Sequence, residues 1–166
     1  MTIKSLTKKL KLDWQNSDIN DKNFPDTGRL NKDFKVFHFG KTMSSDAVIA
    51  EMAKEGYEPA NLRELLTHGF VKGELLVALG QSWRGFDGYR FVPFLSWIGQ
   101  RELDLDWYDY DWDDCFRFLA VRKSLPEGKP VLGLLELSPS DKAEIVKKAV
   151  DEILKRFAKS FEDLAK

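Results

Sequence analysis

Cysteine and histidine are nearly absent from this chain, which has one cysteine and two histidines in 166 residues. The single thiol, Cys115, cannot form an internal disulfide, and it cannot build a structural zinc site of the usual kind. His38 and His68 do not stand near a serine or cysteine in a recognisable hydrolase pattern, and two histidines fall short of a three-histidine metal site. We therefore predict a protein that is not an enzyme and that carries no cofactor and no metal.

An excess of either charge is also missing, because 26 lysines and arginines stand against 27 aspartates and glutamates, for a net charge of -1. Nucleic acid binding depends on a positive field, so we do not expect a nucleic acid partner. No window approaches the roughly 20 apolar residues of a membrane span, and residues 1–9 lack the apolar run of a signal peptide. We expect no insertion into a membrane and a cytoplasmic or virion-associated location.

Apolar and aromatic residues are plentiful, at 43% and 13% of the chain, which suits a single domain over all 166 residues. We divide it into an irregular, lysine-rich N-terminal arm and wrap (1–33), a core (34–123) and a C-terminal amphipathic helix (138–166). Trp14 and Phe24 are isolated aromatics in a polar segment. We expect both to pack the wrap against the body.

The core segment mixes helical and strand patterns, which predicts an α+β fold. Capping residues at 44–46, followed by apolar residues at helical spacing, predict a helix over 44–56. Apolar residues at the same spacing after Pro59 predict a second helix over 60–69. Runs of β-forming residues bounded by turn residues predict strands. These runs are 34–39, 75–79, 91–95, 103–107 and 116–121. We expect the last three strands to be short, antiparallel and joined by long loops.

The most unusual segment, residues 101–118, interleaves six aspartates with tryptophan and tyrosine. A calcium loop of the EF-hand type is excluded, because the central glycine and the closing glutamate are missing. The period of two in residues 103–107 puts the leucines and Trp107 on one face of a strand, with Asp104 and Asp106 on the other. Three interpretations stay open: a solvated acidic face, a cation-binding or catalytic carboxylate pair, and a binding surface rich in tyrosine and tryptophan.

Two smaller features argue against further chemistry. Cys115 follows Asp114, and acidic neighbours raise the pKa of a thiol, so we predict an unreactive cysteine. Residues 85–88 contain two glycines, but they lack the strand-to-helix context of a phosphate-binding loop, and Asp87 repels phosphate. We predict a simple turn there.

Two short segments resemble motifs of a known family. Residues 78–84 (ALGQSWR) and 117–123 (RFLAVRK) are similar to the strands that open and close the variable segment in variable proteins of diversity-generating retroelements, of the small archaeal and viral type. The resemblance covers residues 34–123. It implies a C-type lectin-like fold, with two helices packed on a small irregular antiparallel sheet and a variable region at residues 84–117. The implied function is to bind a ligand, such as a protein or a cell-surface feature, through a hypervariable surface.

The resemblance also implies which positions vary, because these retroelements rewrite adenines in selected codons. An asparagine codon AAY rewritten in this way can yield Tyr, Asp, Phe, Cys, Ser, Ile or Arg, but never Trp, Lys, Glu or Gln. The implied ligand-binding positions are Phe86, Tyr89, Arg90, Phe91, Phe94, Ser96, Ile98, Asp104, Asp106, Tyr108, Asp109, Tyr110, Asp111, Asp113, Asp114, Cys115 and Phe116. The implied fixed scaffold consists mostly of Trp83, Trp97, Trp107, Trp112, Leu103, Leu105 and Phe118. At strand spacing, Phe91, Phe94 and Phe116 can equally belong to the core.

The chain departs from this family in ways that leave alternatives open. About forty residues follow Lys123, and the resemblance does not account for them. The paired cysteines of formylglycine-generating relatives are absent, which removes copper-dependent oxidase activity. Residues 112–114 (WDD) and 58–61 (EPAN) resemble calcium motifs of lectins. A calcium-dependent carbohydrate-binding lectin is therefore one alternative, and an acidic-site hydrolase that uses Asp104 and Asp106 is another. The calcium ligands of the lectin are expected to be Asp104, Asp106, Asp113 and Asp114.

Overall fold

The computed structural model describes residues 1–123, 147–152 and 154–155, and the chain divides into two units, residues 1–123 and residues 124–166. In the second unit, residues 147–152 and 154–155 are helical and exposed, in agreement with the predicted C-terminal helix. The other positions of that predicted helix lie outside the described residues. No helix in the described parts of the chain is long and apolar enough to cross a membrane.

The first unit, which is described throughout, contains three helices and eight strands. The helices are α1 (Ile3–Leu10), α2 (Ser45–Lys54) and α3 (Leu62–His68). The strands are β1 (Trp14–Gln15), β2 (Phe34–Phe37), β3 (Tyr57–Pro59), β4 (Leu75–Val77), β5 (Trp83–Arg84), β6 (Arg90–Ile98), β7 (Gln100–Trp107) and β8 (Phe116–Arg122). Both helices predicted for the core are confirmed, and so are the five predicted strands, each shifted by a few residues at its ends. The fold is α+β.

All eight strands belong to one mixed sheet with the order β1-β7-β6-β4-β8-β2, to which β3 adds on β8 and β5 on β6. β1 runs parallel to β7, and β4 runs parallel to β8, so the prediction of an antiparallel sheet is wrong for these two pairs. β6 and β7 are nine and eight residues long. They are joined directly at Gly99, whose φ of +83° permits a tight turn where long loops were predicted.

The sheet buries an apolar cluster on each of its faces. In β8, Leu119 and Val121 belong to one cluster, and Phe118 and Ala120 belong to the other, because successive side chains point to opposite faces. The first core also contains residues of α1, of α3 and of the N-terminal wrap. The second core contains residues of α2 together with Trp112. The sheet is therefore covered on both sides.

The N-terminal segment is more regular than predicted. The Thr2 side chain accepts a hydrogen bond from the backbone N–H of Ser5 and caps α1. Ile3 and Leu6 are buried in the first core. The predicted irregular arm is therefore wrong for residues 3–10, because an apolar face at helical spacing suffices to dock a short helix.

The two aromatics of the wrap have different environments. Phe24 is fully buried in the first core, as predicted. Trp14 is 47% exposed, so the prediction that it packs the wrap onto the body is wrong. Trp14 lies in β1, at the edge of the sheet, and its strand is held through backbone pairing with β7.

A buried carboxylate ties the wrap to α3. Glu64 is fully buried, and it accepts hydrogen bonds from Nη2 of Arg29 (2.7 Å), from the N–H of Asn31 (2.8 Å) and from the N–H of Asn61 (3.0 Å). The Asn61 side chain in turn accepts from the N–H of Glu64, which completes a capping box at the start of α3. Arg29 also pairs with Glu58 at 2.7 Å. These charge-assisted bonds compensate the burial of the Glu64 charge.

Candidate ligand-binding surface

A row of aromatic rings crosses one end of the sheet. Trp83 pairs with Phe91, and Phe91 pairs with Trp107, so that β5, β6 and β7 each contribute one ring. The ring centroids lie 5.8 Å and 6.4 Å apart. Tyr89 and Tyr110 continue the row from Trp107, at 6.1 Å and 4.7 Å. Trp107, Tyr89 and Tyr110 are exposed, and these five residues form the aromatic row.

The predicted turn at residues 85–88 is confirmed, and it lies beside this row. The N–H of Gly85 donates to the carbonyl of Tyr89 (3.0 Å), and Oδ1 of Asp87 accepts from the N–H of Tyr89 (3.1 Å). Gly88 has a φ of +85°, which few residues other than glycine adopt. Phe86 lies at the tip of the turn with its side chain fully exposed. The turn therefore presents an aromatic ring that makes little contact with the rest of the chain.

An arginine clamp holds the start of the loop that follows β7. The guanidinium of Arg90 lies 4.1 Å from the centre of the Tyr108 ring and pairs with Asp109. This pairing lowers the pKa of Asp109 and raises that of Arg90. The hydroxyl of Tyr108 donates to Oδ1 of Asp46 at 2.7 Å. Burial and this bond to a carboxylate raise the pKa of Tyr108 to about 12.

Trp112 is the one buried residue of loop 108–115 and anchors its middle. Trp112 is 3% exposed, and its indole N–H donates to the Ser45 hydroxyl at 2.8 Å. Its ring packs edge-on against Phe116 and Phe118 in the second core. Its backbone exchanges two hydrogen bonds with Met43, of 2.9 Å and 2.8 Å. The neighbours of Trp112 in the loop, from 109 to 111 and from 113 to 115, are all exposed.

The positions predicted to vary differ in exposure. The exposed ones are Phe86, Tyr89, Ile98, Asp109, Tyr110, Asp111, Asp113, Asp114 and Cys115. The half-buried ones are Arg90, Phe91, Phe94, Asp104, Asp106, Tyr108 and Phe116. Ser96 is buried in β6 between β4 and β7. Phe94 and Phe116 pack against the second core, which is the alternative that strand spacing left open for them.

The structure brings most of the exposed positions together at one end of the β6–β7 pair. Turn 85–88, the aromatic row and loop 108–115 lie there, and we call them together the display surface. Ile98 lies at the opposite end of β6 and is not part of it.

The predicted scaffold tryptophans are not equally buried. Trp112 is buried, and Trp83 and Trp97 are half-buried. Trp107 is 40% exposed and lies on the display surface, and the prediction that it does not vary remains a prediction. Trp107 is the last residue of β7, so the Trp107 ring lies beyond the apolar cluster that contains Leu103.

The carboxylates of β7 bond to the chain itself. Leu103 and Leu105 pack in or against the first core, and this confirms the predicted alternation with Asp104. Oδ1 of Asp104 accepts from the N–H of Leu105 (2.7 Å) and from the Asn16 side chain (2.9 Å). Oδ1 of Asp106 accepts from the N–H of Trp107 at 2.8 Å. These two carboxylates are therefore engaged with backbone N–H groups along one edge of the strand.

The four aspartates expected to bind calcium in a lectin are not gathered into one cluster. Asp104 and Asp106 lie on β7, whereas Asp113 and Asp114 lie in loop 108–115. Across residues 1–123, 147–152 and 154–155, no group of three or more His, Cys, Asp or Glu side chains is arranged to hold a metal ion.

The cysteine and the histidines make local contacts. The thiol of Cys115 lies 2.7 Å from Oδ1 of Asp113, and this contact, with some burial, raises the pKa of Cys115 to about 11. The predicted effect of acidic neighbours is confirmed. Nε2 of His38 lies 2.8 Å from the carbonyl of Asp114. His68 packs edge-on against Phe34.

A groove of about 320 Å³ lies between turn 85–88 and the N-terminal wrap. Its lining includes Trp83 and Phe91 of the aromatic row, and Asn16 and Asp18 of the wrap. Sequence reasoning missed these last two residues. The available signal was the Asn-x-Asp spacing, since the N–H of Asp18 donates to Oδ1 of Asn16 in a local polar turn.

Comparisons of the chain with protein families, with curated proteins and with solved structures found no match. What can be inferred about its function therefore depends on the display surface and on the groove beside it.

Proposed function

We propose that this protein binds a ligand through the display surface, that the surface is diversified by a retroelement, and that the scaffold is of the C-type lectin type. The ligand is a protein or a cell-surface feature. The proposal rests on the family resemblance of residues 78–84 and 117–123 and on the exposure of residues 109–111 and 113–115 between them.

The observation that carries the proposal is the contrast within loop 108–115. Trp112, which adenine rewriting of an AAY codon cannot produce, is the buried anchor of the loop. The six exposed residues on its two sides, 109–111 and 113–115, are all of types that such rewriting can produce. A loop with one fixed anchor and exposed neighbours can change most of its side chains and keep its backbone path.

The stability cost of substitution also favours variation at the exposed positions and conservation of type at the buried ones. Exposed side chains away from special contacts change stability by about 0.5 kcal/mol or less when they are substituted. Buried apolar residues cost several times more, and the buried positions of this region include Val92, Leu95, Leu103 and Phe118. Variation at the exposed positions therefore leaves the folded state largely intact.

The side chains on the display surface suit the recognition of a macromolecule. Tyrosine, tryptophan and arginine are enriched in binding hot spots. Tyrosine and tryptophan bury a large area with few rotatable bonds. The aromatic row offers Trp107, Tyr89 and Tyr110 exposed and side by side. Arg90 is held in place by Tyr108 and Asp109, so little of its conformational freedom remains to be lost on binding.

Sequencing of the locus and of sibling genes tests the proposal. We expect a reverse transcriptase gene and a near-copy of the codons for residues 84–117 that differs from them at adenines. We also expect differences between siblings to fall at exposed positions such as Tyr110 and Asp111, with Trp112 and Leu103 unchanged. Absence of the near-copy, or sibling differences concentrated at Trp112 and Leu103, contradicts the proposal.

A further inference from the structure

The groove beside turn 85–88 combines an aromatic floor with an acidic rim. The rings of Trp83 and Phe91 are stacked at a tilt, with centroids 5.8 Å apart, and Phe86 stands next to them. The carboxylates of Asp18 and Asp87 lie at the exposed rim. No lysine or arginine of the described residues lines this groove. Lys22 and Arg84 line an adjoining groove that shares the side of Asp18, Trp83 and Phe86 with it.

Elsewhere in the described part of the chain, aromatic rings and carboxylates hold cationic side chains together. Four cationic side chains lie over aromatic rings, and every one of them is also paired with a carboxylate. Lys35 lies over Tyr57 and pairs with Glu55, Arg90 lies over Tyr108 and pairs with Asp109, Arg101 lies over Trp97 and pairs with Asp13, and Arg122 lies over Tyr57 and pairs with Asp33. The groove has the rings and the carboxylates of this arrangement, and the described residues supply no cation to its lining.

The net charge of residues 84–117, the segment that contributes most of the groove, favours the same kind of ligand. Residues 84–117 contain four arginines and eight acidic residues, for a net charge of -4, whereas the whole chain carries -1. All four arginines already have partners within the chain. The partners are the carbonyl of Gly88 for Arg84, Asp109 for Arg90, Asp13 for Arg101 and Glu74 for Arg117. A partner with positive charge therefore complements this region.

We infer that the groove binds an arginine or lysine side chain of a partner protein. The cation lies against the faces of Trp83 and Phe91, where the ring quadrupole attracts it, and the carboxylates of Asp18 and Asp87 accept its hydrogen bonds. This inference rests on the proposed function, because it names the chemistry by which the display surface takes hold of a protein ligand.

Nuclear magnetic resonance of the full chain labelled with ¹⁵N tests the inference. The probes are N-acetyl-arginine methylamide and, as the uncharged control, N-acetyl-norleucine methylamide. The norleucine side chain is unbranched and apolar and carries no charge. The reporters are the indole N–H of Trp83 and the backbone N–H groups of Gly85 and Gly88. The variant is Asp18→Asn with Asp87→Asn, which removes both charges and keeps an oxygen that can accept the Tyr89 N–H.

We expect saturable shifts at these reporters with the arginine probe and none with the norleucine probe. Exposed ion pairs are individually weak, so the double variant should bind the arginine probe about fivefold less tightly. The matched control, Asp111→Asn with Asp114→Asn, removes the same charge from loop 108–115 and should leave the affinity within about twofold of the unaltered chain, because these residues do not line the groove.

Equal shifts with both probes, equal weakening in both double variants, or no saturable shift with arginine overturns the inference. Each of these results leaves the proposed function standing if the locus contains the near-copy that differs at adenines. Conversely, a locus without that near-copy removes the diversified function and leaves a cation-binding groove in place if the arginine shifts are found.

Discussion

Replacing Trp112 with alanine tests whether this residue anchors the display surface. The substitution removes a ring that is 3% exposed, together with its contacts to Phe116 and Phe118. Large-to-small changes of buried aromatic residues cost about 3–5 kcal/mol. The hydrogen bond to Ser45 is lost as well, at about 1 kcal/mol. We expect the free energy of unfolding to fall by about 4–6 kcal/mol, with no added loss from the backbone bonds to Met43, which the substitution leaves in place.

The matched control is Tyr110→Ala, two residues earlier in the same loop. Tyr110 is 56% exposed, and its ring contacts only that of Trp107 among the described aromatic pairs. We expect a cost of about 0.5–1 kcal/mol. A third variant, Trp112→Phe, keeps part of the packing and loses the indole donor, so its cost should lie between the other two.

Urea denaturation followed by far-ultraviolet circular dichroism measures all three variants. This signal does not depend on the fluorescence of the tryptophan that is removed, and an unchanged slope shows that the denatured states are comparable. If Trp112→Ala and Tyr110→Ala differ by less than about 1 kcal/mol, loop 108–115 is not held by its tryptophan, and the division into anchor and variable neighbours fails.

Three further predictions concern other parts of the molecule. Glu64→Ala should lower the free energy of unfolding by about 3–5 kcal/mol in urea denaturation, because it leaves the buried partners of a carboxylate unpaired. Glu58→Ala removes a half-exposed partner of the same arginine and should lower it by about 1 kcal/mol or less. Similar losses in the two variants contradict this prediction. Gly80→Ala should lower the free energy of unfolding by about 1–3 kcal/mol, because the added Cβ would lie 2.3 Å from the carbonyl oxygen of Pro59. A melting temperature equal to that of the unaltered chain refutes this close approach. The thiol of Cys115, with a pKa of about 11, should react slowly with iodoacetamide at pH 8 and faster as the pH rises towards 11. Asp113→Asn should move this rise in rate to lower pH, because the variant lacks the carboxylate that favours the protonated thiol. A pH profile that is the same in the variant contradicts this prediction.

Features encoded by neighbouring residues were predictable from the sequence. Ser44 and Asn61 are the N-caps of α2 and α3. Their side chains accept hydrogen bonds from backbone N–H groups three residues later, so this signal lies within four residues. The alternation of Leu103 and Asp104 along β7 likewise needs no knowledge of the rest of the fold. The exposed acidic and aromatic loop follows from the same local reading.

Features that depend on distant residues were not predictable. The parallel pairing of β4 with β8 joins segments about forty residues apart, and an apolar run does not specify its partner strand. Arg29 and Glu64 are 35 residues apart, and nothing in either neighbourhood indicates the other. The groove was missed for the same reason, since Asp18 belongs to the wrap while Trp83 belongs to β5.

The hydrogen bonds of Asp104 and Asp106 protect the edge of the sheet from pairing with a strand of another molecule. β1 covers the outer edge of β7 only near residues 101–103. There the backbone N–H groups of Asp13 and Asn16 donate to the carbonyls of Arg101 and Leu103 in β7. Beyond that point, the outward N–H groups of Leu105 and Trp107 are occupied by the carboxylates of the residues before them. A bare edge with these groups open is a template for aggregation. If positions 104 and 106 do vary, only short side chains with an accepting oxygen, such as Asp, Asn or Ser, keep this edge closed, so the repertoire there is narrower than the codon allows.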